Sequence, residues 1–150
     1  MLSMNNTLQS SPQKLKSAAA HPNQQIMIVD DEHLSLSLLS ITMTRPGLAV
    51  VTANSAARAL EMLDTTTPDL FILDVMMPIM DGLELCRRIR ARPETARTPI
   101  LIVSARHDPE IVKKAQAAGA NDFVSKLIPQ MKLLMRVREM LDADKANNSH

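Results

Sequence analysis

The stretch Asp69-Leu70-Phe71-Ile72-Leu73-Asp74-Val75-Met76-Met77-Pro78-Ile79-Met80-Asp81-Gly82 reads as an apolar strand that ends in a carboxylate and runs into a loop bearing Pro and Gly. Three other apolar runs also end in a residue with useful chemistry. Ile26–Val29 ends in Asp30-Asp31, Ile100–Val103 ends in Ser104, and Phe123-Val124 is followed by Ser125-Lys126. A carboxylate, an acidic pair, a hydroxyl and an ammonium, each just past a different strand, are the parts of a Mg²⁺-assisted, phosphoryl-accepting aspartate.

Outward from that stretch the chain alternates between strand and helix. Ile26–Val29 is the first strand, and Glu32 to about Thr44 is a helix with Leu34, Leu38 and Ile41 at helical spacing. Pro46-Gly47 breaks it, Leu48–Thr52 is the second strand, and Ser55 caps a helix through about Leu63. After the third strand, Asp69–Leu73, Asp81-Gly82 opens a helix whose inner face is Leu85, Cys86 and Ile89. Pro99 begins the fourth strand. Asp108-Pro109-Glu110 starts the next helix with a side-chain cap, Pro at the first helical position and an acid in the first turn. Gly119 ends it as a left-handed residue, Asn121–Val124 is the fifth strand, and a last helix runs from about Pro129 to Leu141.

Five strands alternating with five helices, each strand apolar on both faces, predict an α/β fold: a doubly wound parallel sheet with helices on both sides. Ligands of such sheets bind beyond the carboxyl ends of the strands, and every residue singled out above falls at that edge. Residues 1–24, rich in Ser, Gln, Asn, Ala and Pro, read as a flexible tail in which Lys14–Ala20 forms a turn or two of helix only on binding something. The folded domain is expected over 25–141, with a polar tail over 142–150.

Bulk composition narrows the function. The only aromatic residues are Phe71 and Phe123, so Met, Leu, Ile and Val must fill the core. A net charge of +1 gives no electrostatic case for nucleic acid. The basic stretch Arg87, Arg88, Arg90, Arg92 and Arg97 has no interleaved aromatics for base stacking and reads as a solvated helix face. One cysteine, Cys86, excludes an internal disulfide and fits a reducing compartment. No apolar run approaches the ~20 residues of a membrane span, and no secretory signal precedes the domain. A cytoplasmic protein is expected.

The strand-end residues carry the chemistry. Asp30, Asp31 and Asp74 put three carboxylates in one crevice, where at an effective dielectric of ~20 each like-charge pair about 4 Å apart costs roughly 4 kcal/mol. Such a site requires cations, and two are available: a hard divalent ion and the ammonium of Lys126. The all-oxygen donor set points to Mg²⁺. The histidines His21, His33, His107 and His150 are dispersed and offer no Zn²⁺ cluster. Asp74 is then the nucleophile, with Ser104 and Lys126 to bind phosphoryl oxygens.

These motifs resemble the receiver domain of bacterial response regulators, the CheY-like family. The resemblance runs from about Gln25 to Leu141. It rests on Ile28-Val29-Asp30-Asp31-Glu32, Asp74 through Gly82, Val103-Ser104-Ala105, Ala118 through Phe123, and Lys126. It implies a flavodoxin-like fold with strand order 2-1-3-4-5, an order that belongs to the family and is not read from these residues. It also implies Asp74 as phosphoacceptor, Asp31 as a direct Mg²⁺ ligand, Asp30 as a ligand through water, and the Met76 carbonyl as a third protein ligand. Ser104 and Phe123 resemble a coupled switch pair that reports phosphorylation on the surface of the fourth helix, fifth strand and fifth helix. Met76 and Arg106, two positions after Asp74 and Ser104, stand where side chains flank the phosphoryl group in the receivers this chain resembles, and are expected to shield it and slow its hydrolysis. Implied partners are a histidine kinase or histidine phosphotransfer protein and a downstream protein bound at that surface.

One departure from the family stands out. Leu127 occupies the position after Lys126 where the family usually has Pro, often in a cis bond. A cis bond before Leu costs about 3–4 kcal/mol, so a trans Lys126–Leu127 bond is expected. Two other functions compete. An aspartate-nucleophile phosphatase of the haloacid-dehalogenase kind resembles Asp-x-Asp after the first strand, whereas Asp74-Val75-Met76 follows the third and lacks the second acid. A receiver-shaped scaffold that works without phosphorylation would not need Asp31, Asp74, Ser104 and Lys126 together. A signalling switch rather than an enzyme is expected, either stand-alone or as a piece of a longer regulator.

Overall fold

The computed structural model describes residues 24–44 and 47–148. The segment 1–23, with its Lys14–Ala20 stretch and His21, and also Pro46 and His150, lie outside the described residues. The strands are β1 (Gln25–Val29), β2 (Ala49–Ala53), β3 (Leu70–Leu73), β4 (Ile100–Ser104) and β5 (Asp122–Ser125). The helices are α1 (His33–Thr44), α2 (Ala56–Met62), α3 (Gly82–Arg90), α4 (Pro109–Ala118) and α5 (Gln130–Asn148). All strand pairs are parallel, in the order β2-β1-β3-β4-β5.

Strand period two divides the interior into two cores. Ile26, Ile28, Leu70, Ile72, Leu101 and Val103 face one layer, packed against Met43 of α1 and Leu133, Val137 and Leu141 of α5. Met27, Val29, Phe71, Leu73, Ile100 and Ile102 face the other, against Ala59 of α2, Leu85, Cys86 and Ile89 of α3, and Ile111 and Ala115 of α4. The central strands β1, β3 and β4 are apolar on both faces, as expected. The edge strands are not: Ala49 and Thr52 of β2 are exposed, and β5 has only Val124 buried.

Local chemistry sets most of the boundaries. Ser55 caps α2 by accepting from the Arg58 N–H at 3.0 Å, and Asp81 caps α3 by accepting from the Glu84 N–H at 2.9 Å. Gly119 ends α4 at φ 110°, the left-handed position anticipated for it. The expected inner face of α3 is confirmed, since Leu85, Cys86 and Ile89 are fully buried. The Cys86 thiol, its pKa raised by burial, is a core group that donates to the Ala118 carbonyl at 3.4 Å.

Four further expectations need correction. Leu34, Leu38 and Ile41 do not line the core; they are 78%, 50% and 58% exposed. The helix carries a second apolar row, and Leu36, Leu39 and Met43 of that row turn inward instead. Asp108 occupies the N-cap position of α4 but makes no side-chain cap. Strand β5 begins at Asp122, because the Asn121 carboxamide oxygen is taken by the Ile100 N–H and the Arg90 guanidinium. Finally, α5 continues past Leu141 to Asn148, with no Pro or Gly there to stop it.

Of the basic stretch, Arg87, Arg88 and Arg97 are exposed, as a solvated face requires, and Arg90 and Arg92 are partly buried. Arg87 and Arg88 pair with Glu84, Arg92 with Asp64, and Arg90 donates to the carbonyls of Gly119, Thr95 and Thr98.

Candidate functional site

The carboxyl ends of the strands meet at one edge, and backbone bonds hold the acidic residues there. The Asp30 N–H donates to the Ala53 carbonyl at 3.2 Å and the Asp74 N–H to the Val29 carbonyl at 3.0 Å, so both acids are fixed by the ends of their ladders. The Asp30 side chain turns back locally, its Oδ1 accepting from the Glu32 N–H at 2.9 Å. That leaves Oδ2 aimed at the crevice.

The loop after Asp74 is pinned by Gly82. The Gly82 N–H donates to the Val75 carbonyl at 2.9 Å, and a Cβ on Gly82 would lie 2.0 Å from the Asp74 carbonyl oxygen. Only glycine admits the start of α3 this close to the end of β3. Between them, Ile79 is fully exposed at φ 70°, the one left-handed non-glycine among the described residues.

The structure brings Asp30, Asp31 and Asp74 together: one carboxylate oxygen from each lies within 4.8 Å of the others. Asp30 and Asp74 are buried and Asp31 is exposed at the mouth. Asp30 Oδ2 is buried and takes no hydrogen bond from the described residues, although the Lys126 ammonium stands 3.0 Å away. A buried anionic oxygen left in this condition, in an all-oxygen donor set, fits a hard divalent cation.

Lys126 also joins the site. The Lys126 N–H donates to the Ser104 carbonyl at 2.9 Å, which steers its side chain across the sheet edge. Its Nζ reaches Asp74 Oδ2 and Glu32 Oε1, each at 3.3 Å. The Lys126–Leu127 bond is trans, and the Leu127 side chain is 90% exposed.

Electrostatics follow from these contacts. Burial, then repulsion from Asp30, raises the Asp74 carboxyl from 3.8 to about 6, against the opposing pull of Lys126 and the Met76 N–H. Burial opposes the charge on Lys126, yet contact with Asp30 and Asp74 outweighs it and raises the ammonium's pKa.

The remaining site residues are arranged less tightly. Ser104 is fully buried, its Oγ accepting from the Arg106 N–H at 3.2 Å. Phe123 is half-buried on the neighbouring strand, in register with Ile102. Met76 is half-exposed, and its N–H donates to Asp74 Oδ1 at 3.3 Å. The Arg106 guanidinium is turned to Asp108, which it grips through Nε and Nη2 at 3.1–3.2 Å. Sequence reasoning missed two participants. In the sequence, Glu32 reads as a helix start and a motif residue, and Asp108 as a helix cap. The signal for Glu32 was its place next to an acidic pair; nothing in the sequence separates a capping Asp108 from one held by Arg106.

Comparison with known proteins gives the same picture. The model of the response regulator receiver domain matches residues 26–138. The chain is 39% identical over 117 residues to the phosphate regulon transcriptional regulatory protein PhoB of Rhizobium meliloti, covering 78% of this chain and 52% of that one. It is 40% identical over 120 residues to the Regulator of RpoS of Escherichia coli, covering 80% of this chain and 34% of that one. A crystal structure of a putative response regulator from Chloroflexus aurantiacus superposes with a TM-score of 0.76 at 33% identity, covering 80% of this chain and 98% of the other. The chain thus spans about half the length, or less, of the curated relatives it matches. With a sheet in the order 2-1-3-4-5 and an acidic pocket at its carboxyl edge, this chain belongs to the response regulator receiver domain family of two-component signalling.

Proposed function

We propose that this receiver domain is a phosphorylation-controlled switch whose phosphoacceptor is Asp74. The observation that carries the reading is the convergence of three carboxylate oxygens within 4.8 Å, with the Lys126 ammonium 3.3 Å from Asp74 Oδ2. An Asp74 carboxylate oxygen attacks the phosphorus of a phosphohistidine on a kinase or phosphotransfer protein. A P–O bond forms as the P–N bond breaks, and the imidazole leaves with the electron pair and takes up a proton. Lys126 pairs with one phosphoryl oxygen and Ser104 donates to another. Mg²⁺ held by Asp30, Asp31, Asp74 and the Met76 carbonyl would neutralise charge on the phosphoryl oxygens.

Ser104 and Phe123 then act as the switch pair, drawing together as the hydroxyl turns to the phosphoryl group and altering the surface of α4, β5 and α5. A downstream protein binds there. Exposed Met131 and Met135, one turn apart on α5, together with exposed Leu127 in the turn before it, give that surface apolar anchors. A cytoplasmic location is part of this reading and rests on membership of the family. Separately, no helix among the described residues is long and apolar enough to cross a membrane. Its direct partners are proteins rather than nucleic acid; a longer regulator containing it would place any DNA-binding segment elsewhere.

Incubation with a small phosphodonor such as phosphoramidate and Mg²⁺ tests the assignment. One phosphate should be added, labile to hydroxylamine, and Asp74→Asn should abolish it. Full labelling in that variant would assign the phosphate to another residue.

A further inference from the structure

Asp108 stands where a helix cap belongs and does not cap. Its backbone has the extended N-cap conformation, φ −67° and ψ 160°, and its carbonyl already accepts from the Val112 N–H at 3.2 Å. Pro109 follows at the first helical position. Every local requirement for an Asp cap on the Glu110 or Ile111 N–H is met. The carboxylate is instead held by the Arg106 guanidinium, with Nη2 at 3.1 and 3.2 Å from its two oxygens and Nε at 3.2 Å from Oδ1.

Arg106 itself is anchored at the site. Its N–H donates to the buried Ser104 Oγ at 3.2 Å, and its side chain lines one surface depression with Val75 and Met76, the residues that follow Asp74. The Arg106–Asp108 pair is about half exposed, so water screens it and little is lost when it opens. A phosphoryl group on Asp74 would offer the same guanidinium a dianion with fork geometry, a stronger partner than one screened carboxylate.

We propose that Asp108 is a positioning residue which holds Arg106 away from the phosphoryl site and exchanges partners on phosphorylation. Arg106 moves to the phosphoryl oxygens, and Asp108, released, caps the first turn of α4. The exchange couples the lifetime of the acyl phosphate to the order of the α4 N-terminus. It rests on Asp74 as phosphoacceptor for its trigger, but the exchange itself can be read without phosphate.

The first arm therefore uses the unmodified chain. Hydrogen exchange of the Glu110 and Ile111 amides should slow severalfold in Arg106→Ala, where Asp108 is free to cap, and return to the parent rate in Arg106→Ala/Asp108→Ala. Equal exchange in Arg106→Ala and the parent would overturn the exchange whether or not Asp74 is phosphorylated. The second arm uses chain phosphorylated with phosphoramidate and Mg²⁺. Asp108→Asn, which keeps a capping side chain and loses the charge that holds Arg106, should lengthen the acyl-phosphate lifetime severalfold. The same substitution in an Arg106→Ala background should change nothing. A lifetime effect of Asp108→Asn that persists without Arg106 would refute the positioning role. Absence of any label in the parent would instead refute Asp74 as phosphoacceptor and leave the first arm to judge the exchange.

Discussion

Lys126 Nζ lies 3.3 Å from Asp74 Oδ2, and the Lys126–Leu127 peptide bond that follows the lysine is trans. The Lys126 N–H is tied to the Ser104 carbonyl, so the backbone anchor of the lysine precedes Leu127. Replacement of Lys126 by Met removes the cation shared by Asp30, Asp74 and Glu32. Urea unfolding at pH 7 without Mg²⁺ should show a loss of about 1–3 kcal/mol, because two buried carboxylates lose their counter-charge. The loss should shrink at pH 5, where Asp74 can take up a proton. Unchanged stability at pH 7 would show that the ion pairs are immaterial.

Asp74 gives the fold a pH dependence of defined sign. Its folded value of about 6 lies above the ordinary 3.8, so between these values the folded state binds more protons than the unfolded one. This group's contribution therefore falls as pH rises through that window, and at pH 7 the whole cost is present. Asp74→Asn should stabilise the metal-free protein at pH 7 by on the order of 2–3 kcal/mol, a gain that disappears near pH 4. A gain independent of pH would point to packing and not to charge.

Asp31 is the exposed member of the acidic cluster, so it can be changed without disturbing the core. Calorimetric titration of Asp31→Ala with Mg²⁺ should show affinity reduced at least about tenfold, or roughly 1.4 kcal/mol. The metal-free variant should melt no lower than the parent, since one source of repulsion is gone. Retained affinity would remove Asp31 from the ligand set.

Gly82→Ala sets a methyl group 2.0 Å from the Asp74 carbonyl oxygen, a backbone atom that cannot rotate aside. The start of α3 or the end of β3 must shift. A loss of roughly 2–4 kcal/mol is expected, in the range of severe overpacking. Phosphorylation by phosphoramidate should fall with it, because the displaced loop adjoins Asp74, the proposed phosphoacceptor. A variant with parental melting temperature would disprove the close approach.

Met76 is half-exposed in the loop after Asp74, and under the proposed function its side chain fills space near the phosphoryl group without orienting water. Met76→Asn supplies a polar side chain that can hold an attacking water. Loss of acyl phosphate, timed after removal of the donor, should quicken severalfold. An unchanged rate would mean that this side chain does not shield the bond.

Periodicity made the sheet legible, because the central strands are apolar on both faces and each ends in a polar residue that faces the same edge. The same periodicity failed for α1. Leu34, Leu38 and Ile41 and the inward Leu36, Leu39 and Met43 are both spaced as helical rows, and only the position of the sheet selects between them. At the site, Asp30, Asp31, Asp74 and Lys126 were readable from strand ends. The partner of Arg106 was not, since a capping aspartate and an ion-paired one have the same local sequence, and a three-dimensional competition decides the outcome. The end of α5 is not legible for a simpler reason: the polar composition after Leu141 reads as a tail, although those residues are compatible with helix.

The two-sided sheet has a consequence for spectroscopy. Ile26 and Met27 are adjacent in the chain and both fully buried, yet one touches the layer of α1 and α5 and the other the layer of α2, α3 and α4. Isotope labels on these two methyl-bearing side chains would sit one peptide unit apart and report on opposite halves of the molecule. A ligand that disturbs only one helical layer should move one resonance and leave its neighbour still.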